Sequence, residues 1–211
     1  MTGILRDALA ATASALVPPR CAGCDAPGTW LCLECRDACD PVTVRVGLTV
    51  RAAGAYAGPL RSAIQCFKYR GERALAAELG ELVAALAAAD LSQGVALDAV
   101  VPVPLHPERA RGRGYDQAAL LASAVAQRIR LPVAAAIHRI RHARPQVELD
   151  RLERQRNVDC AFLTSVGSLR GLRVAVVDDV TTTGATLRAA ARAARAAGAR
   201  SVRAYVVAAD E

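Results

Sequence analysis

From Val174 to Thr186 the chain reads Val-Ala-Val-Val-Asp-Asp-Val-Thr-Thr-Thr-Gly-Ala-Thr, and no other stretch limits the fold so tightly. Four apolar residues in a row ask for burial on both faces, as in a strand inside a parallel sheet. That strand, Arg173 to Val177, ends in two adjacent carboxylates. A loop of small hydroxyl residues with Gly184 then opens a helix from about Thr186 to Ala197. Gly198 stops the helix, and Ser201 to Val207 reads as a strand again. Parallel neighbours need a crossover of this kind, so the C-terminal part is α/β with a parallel sheet.

Ligands of such sheets bind beyond the carboxyl ends of the strands, which places a site at the loop after Asp179. Backbone N–H groups and the positive end of a helix suit a phosphate there. The hydroxyls of Thr182, Thr183 and Thr186 add donors, and Asp178 and Asp179 can accept from sugar hydroxyls, so the segment describes a clamp for ribose 5-phosphate. Two acids at a strand end are by themselves ordinarily solvated. It is the whole thirteen-residue pattern that speaks for a site.

Upstream, Val42, Val44 and Val46 alternate and Thr49 to Tyr56 is β-prone, predicting a hairpin around Gly47. Pro59 to Tyr69 and Arg73 to Ala89 predict helices separated by Gly71. Ala99 to Val103 predicts a buried internal strand running into a turn stiffened by Pro102, Pro104 and Pro107. Tyr115 to Arg130 predicts an amphipathic helix with Ala118, Leu121, Ala122 and Val125 on one face. The stretch from His138 to Asn157, broken by Pro145, predicts a solvated, mobile loop with a short helix.

Seven cysteines are present, five of them within nineteen residues. Cys21, Cys24, Cys32 and Cys35 follow Cys-x2-Cys-x7-Cys-x2-Cys, two tight knuckles that can set four thiolates around one structural Zn2+. Two disulfides would suit an exported chain, and the odd cysteine count argues against them. A redox pair would need only one of the two motifs. Cys39 competes with Cys35 as fourth ligand on spacing alone, and Trp30 is expected to pack on the metal module. Ile4 to Val17 reads as an amphipathic helix stopped by Pro18 and Pro19, since Asp7 follows Arg6 and removes the basic flank of a signal peptide. This reading makes the chain cytoplasmic. No stretch of about 18 uncharged apolar residues occurs, so no membrane insertion is expected.

The net charge is +7, and His106 to Asn157 holds eleven arginines against five acids. Lys68 is the single lysine. Guanidinium groups bind phosphate bidentately, so a phosphate-rich ligand and nucleic acid account equally well for the charge. Seven aromatic residues in 211 argue against base-stacking RNA modules. His106 is the best titratable candidate beside a leaving group, although a lone histidine is more often structural. His138 and His142 lack a third ligand and read as surface residues.

The thirteen-residue pattern resembles the phosphoribosyl pyrophosphate (PRPP) loop of type I phosphoribosyltransferases. On that resemblance Asp178 and Asp179 meet the ribose 2′- and 3′-hydroxyls, and Thr182, Thr183, Gly184, Ala185 and Thr186 hold the 5′-phosphate. The cysteine knuckles, Phe67-Lys68-Tyr69-Arg70-Gly71, and Val101-Pro102-Val103-Pro104-Leu105-His106-Pro107 look like the ComF family. So do Arg109, Arg113, Gly114, Tyr115 and Gln117, and then Arg139, Gln146, Leu149, Arg156, Asn157 and Phe162.

This resemblance implies a parallel-sheet type I phosphoribosyltransferase fold over 42–211, with an N-terminal helix and a small zinc-binding module over 1–41. It implies PRPP with Mg2+ as ligand, transfer of the ribose 5-phosphate to a nitrogen acceptor with release of pyrophosphate, a homodimer, and a link to DNA uptake or use. Val103, Pro104, Leu105 and His106 would face the diphosphate, and Arg109, Arg113, Arg139 or Arg156 would neutralise it. The alternative is a non-catalytic adaptor that senses nucleotide or touches single-stranded DNA or a DNA-import helicase through Arg139, Arg141 and Arg144.

Overall fold

In a computed structural model, residues 18–105, 112–139, 162–165 and 167–210 of the protein are described. A one-turn helix, α1 (Leu33–Asp37), lies in the cysteine segment, followed by strands β1 (Val42–Arg45) and β2 (Thr49–Ala55). Helices α2 (Gly58–Tyr69) and α3 (Leu75–Ser92), strand β3 (Ala99–Pro102) and helix α4 (Gln117–Ile129) come next. A short pair, β4 (Ile137–Arg139) and β5 (Phe162–Thr164), precedes the closing unit of β6 (Arg173–Thr181), α5 (Ala185–Ala196) and β7 (Ser201–Ala209).

The main sheet has the order β1-β2-β7-β6-β3. β2, β7, β6 and β3 run parallel, and β1 returns antiparallel on one edge through the expected hairpin, whose turn holds Gly47 at φ +75°. Side chains alternate between two apolar layers, as a pleated strand buried on both faces requires. Ala175, Val177, Tyr205 and Val207 pack with α2, α3 and α4, while Val174, Val176, Val202, Ala204 and Val206 pack with α5. Gly80 lets α3 and α4 approach closely, since a Cβ there would lie 2.4 Å from Ala124 Cβ.

Three expectations are corrected. β3 is an edge strand, not an internal one: its free side is covered by the segment at 132–134, where Val100 N donates to Pro132 O (2.9 Å) and Ala134 N to Val100 O (2.8 Å). A covered edge buries its residues as an internal strand does, so the apolar run looks the same in sequence. β6 does not stop at Val177 but continues through both acids to Thr181, because β7 pairs with it as far as Ala209. His138 and Arg139 belong to β4, paired with β5, and not to a solvated loop. His138 is exposed, as expected of a surface residue. The rest of the expected loop to Asn157, including Arg141, His142, Arg144 and Arg156, and the helix expected over Ile4 to Val17 lie outside the described residues.

Beneath the sheet one charged group is buried among apolar neighbours. Asp90 near the end of α3 is 2% exposed. It accepts from Arg51 on β2, from Arg203 Nη1 (3.1 Å) and from Tyr205 Oη (2.9 Å) on β7.

Candidate functional site

The crossover from β3 to β6 carries α4 on one face of the sheet, and the crossover from β6 to β7 carries α5 on the other. β6 is therefore the strand at which the winding reverses, and ligands of such sheets bind beyond the carboxyl end of that strand. Asp178 and Asp179 stand in the last turn of the pleat there, followed by exposed Thr182 and Thr183 and buried Gly184. Gly184 caps α5 with φ +71°. The N–H groups of Ala185, Thr186 and Leu187 precede the first bond of that helix, Arg188 N to Gly184 O (2.9 Å), and so belong to the unpaired positive end that favours an anion.

Glycine is required at position 184 for a second reason. A Cβ there would come within 2.4 Å of Val46 Cγ2 in the hairpin turn. Gly184→Ala combines this clash with a left-handed backbone and is expected to cost about 1–3 kcal/mol, read as a lowered midpoint of urea unfolding.

The expected turn after β3 does lie beside β6: Val103 N donates to Val177 O (2.9 Å). Leu105 N donates to Asp116 Oδ2 (3.3 Å), and Asp116 Oδ1 accepts from Ala119 N (3.0 Å), so one carboxylate both caps α4 and holds the turn. Pro104 and Leu105 are half-buried, while His106 and Arg109 lie outside the described residues. Arg113 sits with its guanidinium 5.2 Å from the exposed Tyr69 ring and donates to Gln117 Oε1 (3.1 Å). Nothing in these contacts brings Arg113 onto the acidic pair.

The residue that sequence reasoning left without a role is Lys68. Its Nζ lies 2.8 Å from Asp179 Oδ1. The signal was present as a solitary lysine in a chain of arginines, but only the tertiary fold brings the end of α2 to the end of β6. Burial pushes the Asp178 carboxyl up to about 8, with the charge of Asp179 adding to the effect. The Asp179 N–H, which donates to Asp178 Oδ1 (2.8 Å), and Lys68 oppose that rise, and Asp116 contributes a further negative charge.

In the cysteine segment the Sγ atoms of Cys21, Cys24, Cys32 and Cys35 all lie within 4.8 Å of one another. No disulfide joins the described cysteines. Cys39 stands apart from the four and points its thiol at Cys35 O (3.2 Å), so spacing left open what geometry separates. Gly23 N (3.4 Å) and Cys32 N (3.3 Å) donate to Cys21 Sγ. Burial works against ionisation of Cys21, yet these and the Cys24 N–H bring its thiol down to about 6. Four soft donors with N–H groups aimed at sulfur are a set that fits a tetrahedral metal ion.

The cysteine segment does not stand alone. Thr29 Oγ1 (2.9 Å) and Trp30 N (3.1 Å) donate to Glu78 Oε1 on α3, and Leu31, Cys32 and Cys35 share one apolar cluster with Leu60 and Leu79. Trp30 thus packs toward the main core as well as the cysteines.

A mainly parallel sheet with an acidic pair and a small hydroxyl loop at its reversal strand defines a phosphoribosyltransferase-type fold. The phosphoribosyl transferase domain profile matches residues 116–211. Competence protein F of Haemophilus influenzae is 32% identical over 158 residues, covering 72% of this chain and 69% of that protein. The DNA utilization protein YhgH of Salmonella typhi is 31% identical over 153 residues, covering 71% and 67%. The chain belongs to the ComF family. The glutamine PRPP amidotransferase of B. subtilis, solved with ADP and GMP, overlays with a TM-score of 0.43 at 22% identity, covering 62% of this chain and 25% of that one. That likeness is too distant to carry an assignment.

Proposed function

We propose that the protein binds PRPP with Mg2+ at the end of β6 and transfers its ribose 5-phosphate to a nitrogen acceptor. The observation that carries this reading is the acidic pair standing directly before the Thr182–Gly184 loop and the start of α5. The loop and the first turn of α5 receive the 5′-phosphate through N–H and hydroxyl donors. Asp178 and Asp179 receive the ribose hydroxyls. The backbone from Val103 to Leu105, held by Asp116, lines the side from which the diphosphate leaves.

In the transfer the bond from C1 to the pyrophosphate oxygen breaks with its electron pair on oxygen. The acceptor nitrogen forms the new bond to C1 and gives up a proton. Bound together with PRPP beside the Val103 to Leu105 backbone, Mg2+ would supply stabilisation of the departing negative charge. Positioning and electrostatics are the contribution of the chain in this reading.

The four clustered cysteines, Cys21, Cys24, Cys32 and Cys35, hold a structural Zn2+ in this reading. The names of the relatives, competence and DNA utilization, support a role in DNA uptake or use. The arginine-rich stretch supports an acidic partner such as single-stranded DNA. Among the described residues no helix is long and apolar enough to cross a membrane.

The test is calorimetric titration of PRPP and Mg2+ into the wild type and into a folded Asp178→Asn, Asp179→Asn variant. Saturable binding by the wild type, weakened at least about tenfold in the variant, is expected, since each substitution replaces a carboxyl oxygen by an amide NH2 that cannot accept from a ribose hydroxyl. A folded wild type that binds no PRPP would retire the transferase reading in favour of the adaptor.

A further inference from the structure

Among the described ion pairs, the bridge between Lys68 and Asp179 is the one made by an ammonium, and like that of Arg51 with Asp90 it is largely buried. Its two side chains are only 16% and 11% exposed, against 54% and 74% for Arg20 and Asp25 on the surface. Its contact runs from Lys68 Nζ to Asp179 Oδ1, at 2.8 Å. Arg173, by contrast, occupies both oxygens of Asp98, with Nε 2.8 Å from Oδ2 and Nη2 2.6 Å from Oδ1. A guanidinium is a planar fork that matches a carboxylate with two bonds, whereas an ammonium is a point charge that can engage a single oxygen. All other basic side chains of the chain except histidine are arginine, and the one lysine stands at the acidic pair.

The end of α2 that carries Lys68 is itself fixed. Phe67 is fully buried, its ring centroid is 5.7 Å from that of Tyr115, and the Tyr115 hydroxyl donates to the Phe67 carbonyl. Arg73 donates to Gly114 O (2.9 Å) and lies over the Tyr115 ring. Among the described residues, the charged groups that act on the pair include Lys68 from α2 and Asp116 from the start of α4, beside Asp178 and Asp179 themselves.

We propose that Lys68 is the positioning residue of the acidic pair. Its ammonium holds Asp179 by one oxygen and presents Asp178 and the remaining Asp179 oxygen to a ribose diol, with no divalent cation required at the pair. This rests on the phosphoribosyl reading above and adds to it the device that sets the two carboxylates.

The test uses ribose 5-phosphate, which lacks the diphosphate, titrated calorimetrically into the full chain in EDTA. The wild type, Lys68→Met and Lys68→Arg are compared, with Lys68→Gln replacing the methionine variant if that one does not fold. The carboxyl carbon of Asp178 is followed by NMR against pH in the same proteins. Binding by the wild type without a divalent cation is expected, with affinity lowered about tenfold or more in both variants. The two variants should part in the titration: Lys68→Met moves the Asp178 carboxyl, which the Lys68 charge lowers, to higher pH, and Lys68→Arg, which keeps the charge, leaves it in place. A purely structural or purely electrostatic role would be rescued by arginine.

Wild-type affinity in Lys68→Arg would overturn the one-oxygen geometry. Wild-type affinity in Lys68→Met would overturn the role altogether, and a wild type that binds only when Mg2+ is added would overturn the cation-free clause. A wild type that binds ribose 5-phosphate under neither condition would bring down the phosphoribosyl reading itself, a result distinct from the other three.

Discussion

Replacing Asp90 with alanine is expected to lower the unfolding free energy by about 3–5 kcal/mol, the range for removing one partner from a buried ion pair. The carboxylate is 2% exposed and serves three donors from two strands, Arg51, Arg203 and Tyr205. Its loss leaves the Tyr205 hydroxyl buried without an acceptor and two guanidinium groups without their counter-charge. The lower end of the range is favoured because the side chains of Arg51 and Arg203 remain 22% and 36% exposed, so water screens part of the loss. Tyr205→Phe removes only one hydrogen bond and should cost about 1 kcal/mol. Urea unfolding at one pH orders the variants. Equal midpoints for Asp90→Ala and the wild type would show that this cluster contributes nothing to the fold.

The second large effect concerns the cysteines. Protein purified under reducing conditions should carry about one zinc ion per chain, and Cys35→Ser should bring this close to zero, since a structural site closes with four ligands. Cys39→Ser should leave the metal in place, because that thiol bonds to a carbonyl and stands outside the cluster. A structural metal binds with free energy that is folding free energy. Chelation should therefore raise hydrogen exchange from Cys21 to Cys39, and with it along the start of α2. There a Cβ on Gly23 would lie 2.9 Å from Pro59 Cβ, so segment and helix are already in contact. A chain free of metal that keeps wild-type exchange in this segment would remove the structural role.

Much of this was legible because it is local. The hairpin at Gly47, helices α2, α4 and α5 and the closing strand announce themselves through period, breaker residues and caps within a dozen residues of sequence. The end of β6 was misplaced for a physical reason: whether a strand continues past a charged residue depends on whether its neighbour continues, and β7 does so to Ala209. The edge position of β3 was hidden likewise, since the segment at 132–134 buries it as a sixth strand would.

The sequence by itself determined that this chain makes a mainly parallel α/β sheet with a loop of small hydroxyl residues after two acids, and that four cysteines are spaced to share one ion. Apolar period, glycine placement and ligand spacing are properties of neighbours along the chain, and they need no knowledge of the rest. Only the tertiary structure decided that β6 is the strand where the winding reverses, that Asp116 holds the turn after β3, that Asp90 gathers charges from two strands, and that Lys68 is the cation facing Asp179. Each of these joins residues separated by ten to more than a hundred positions. Such pairings are fixed by how helices and sheet pack, and a side chain carries no local mark of the partner that packing will bring to it.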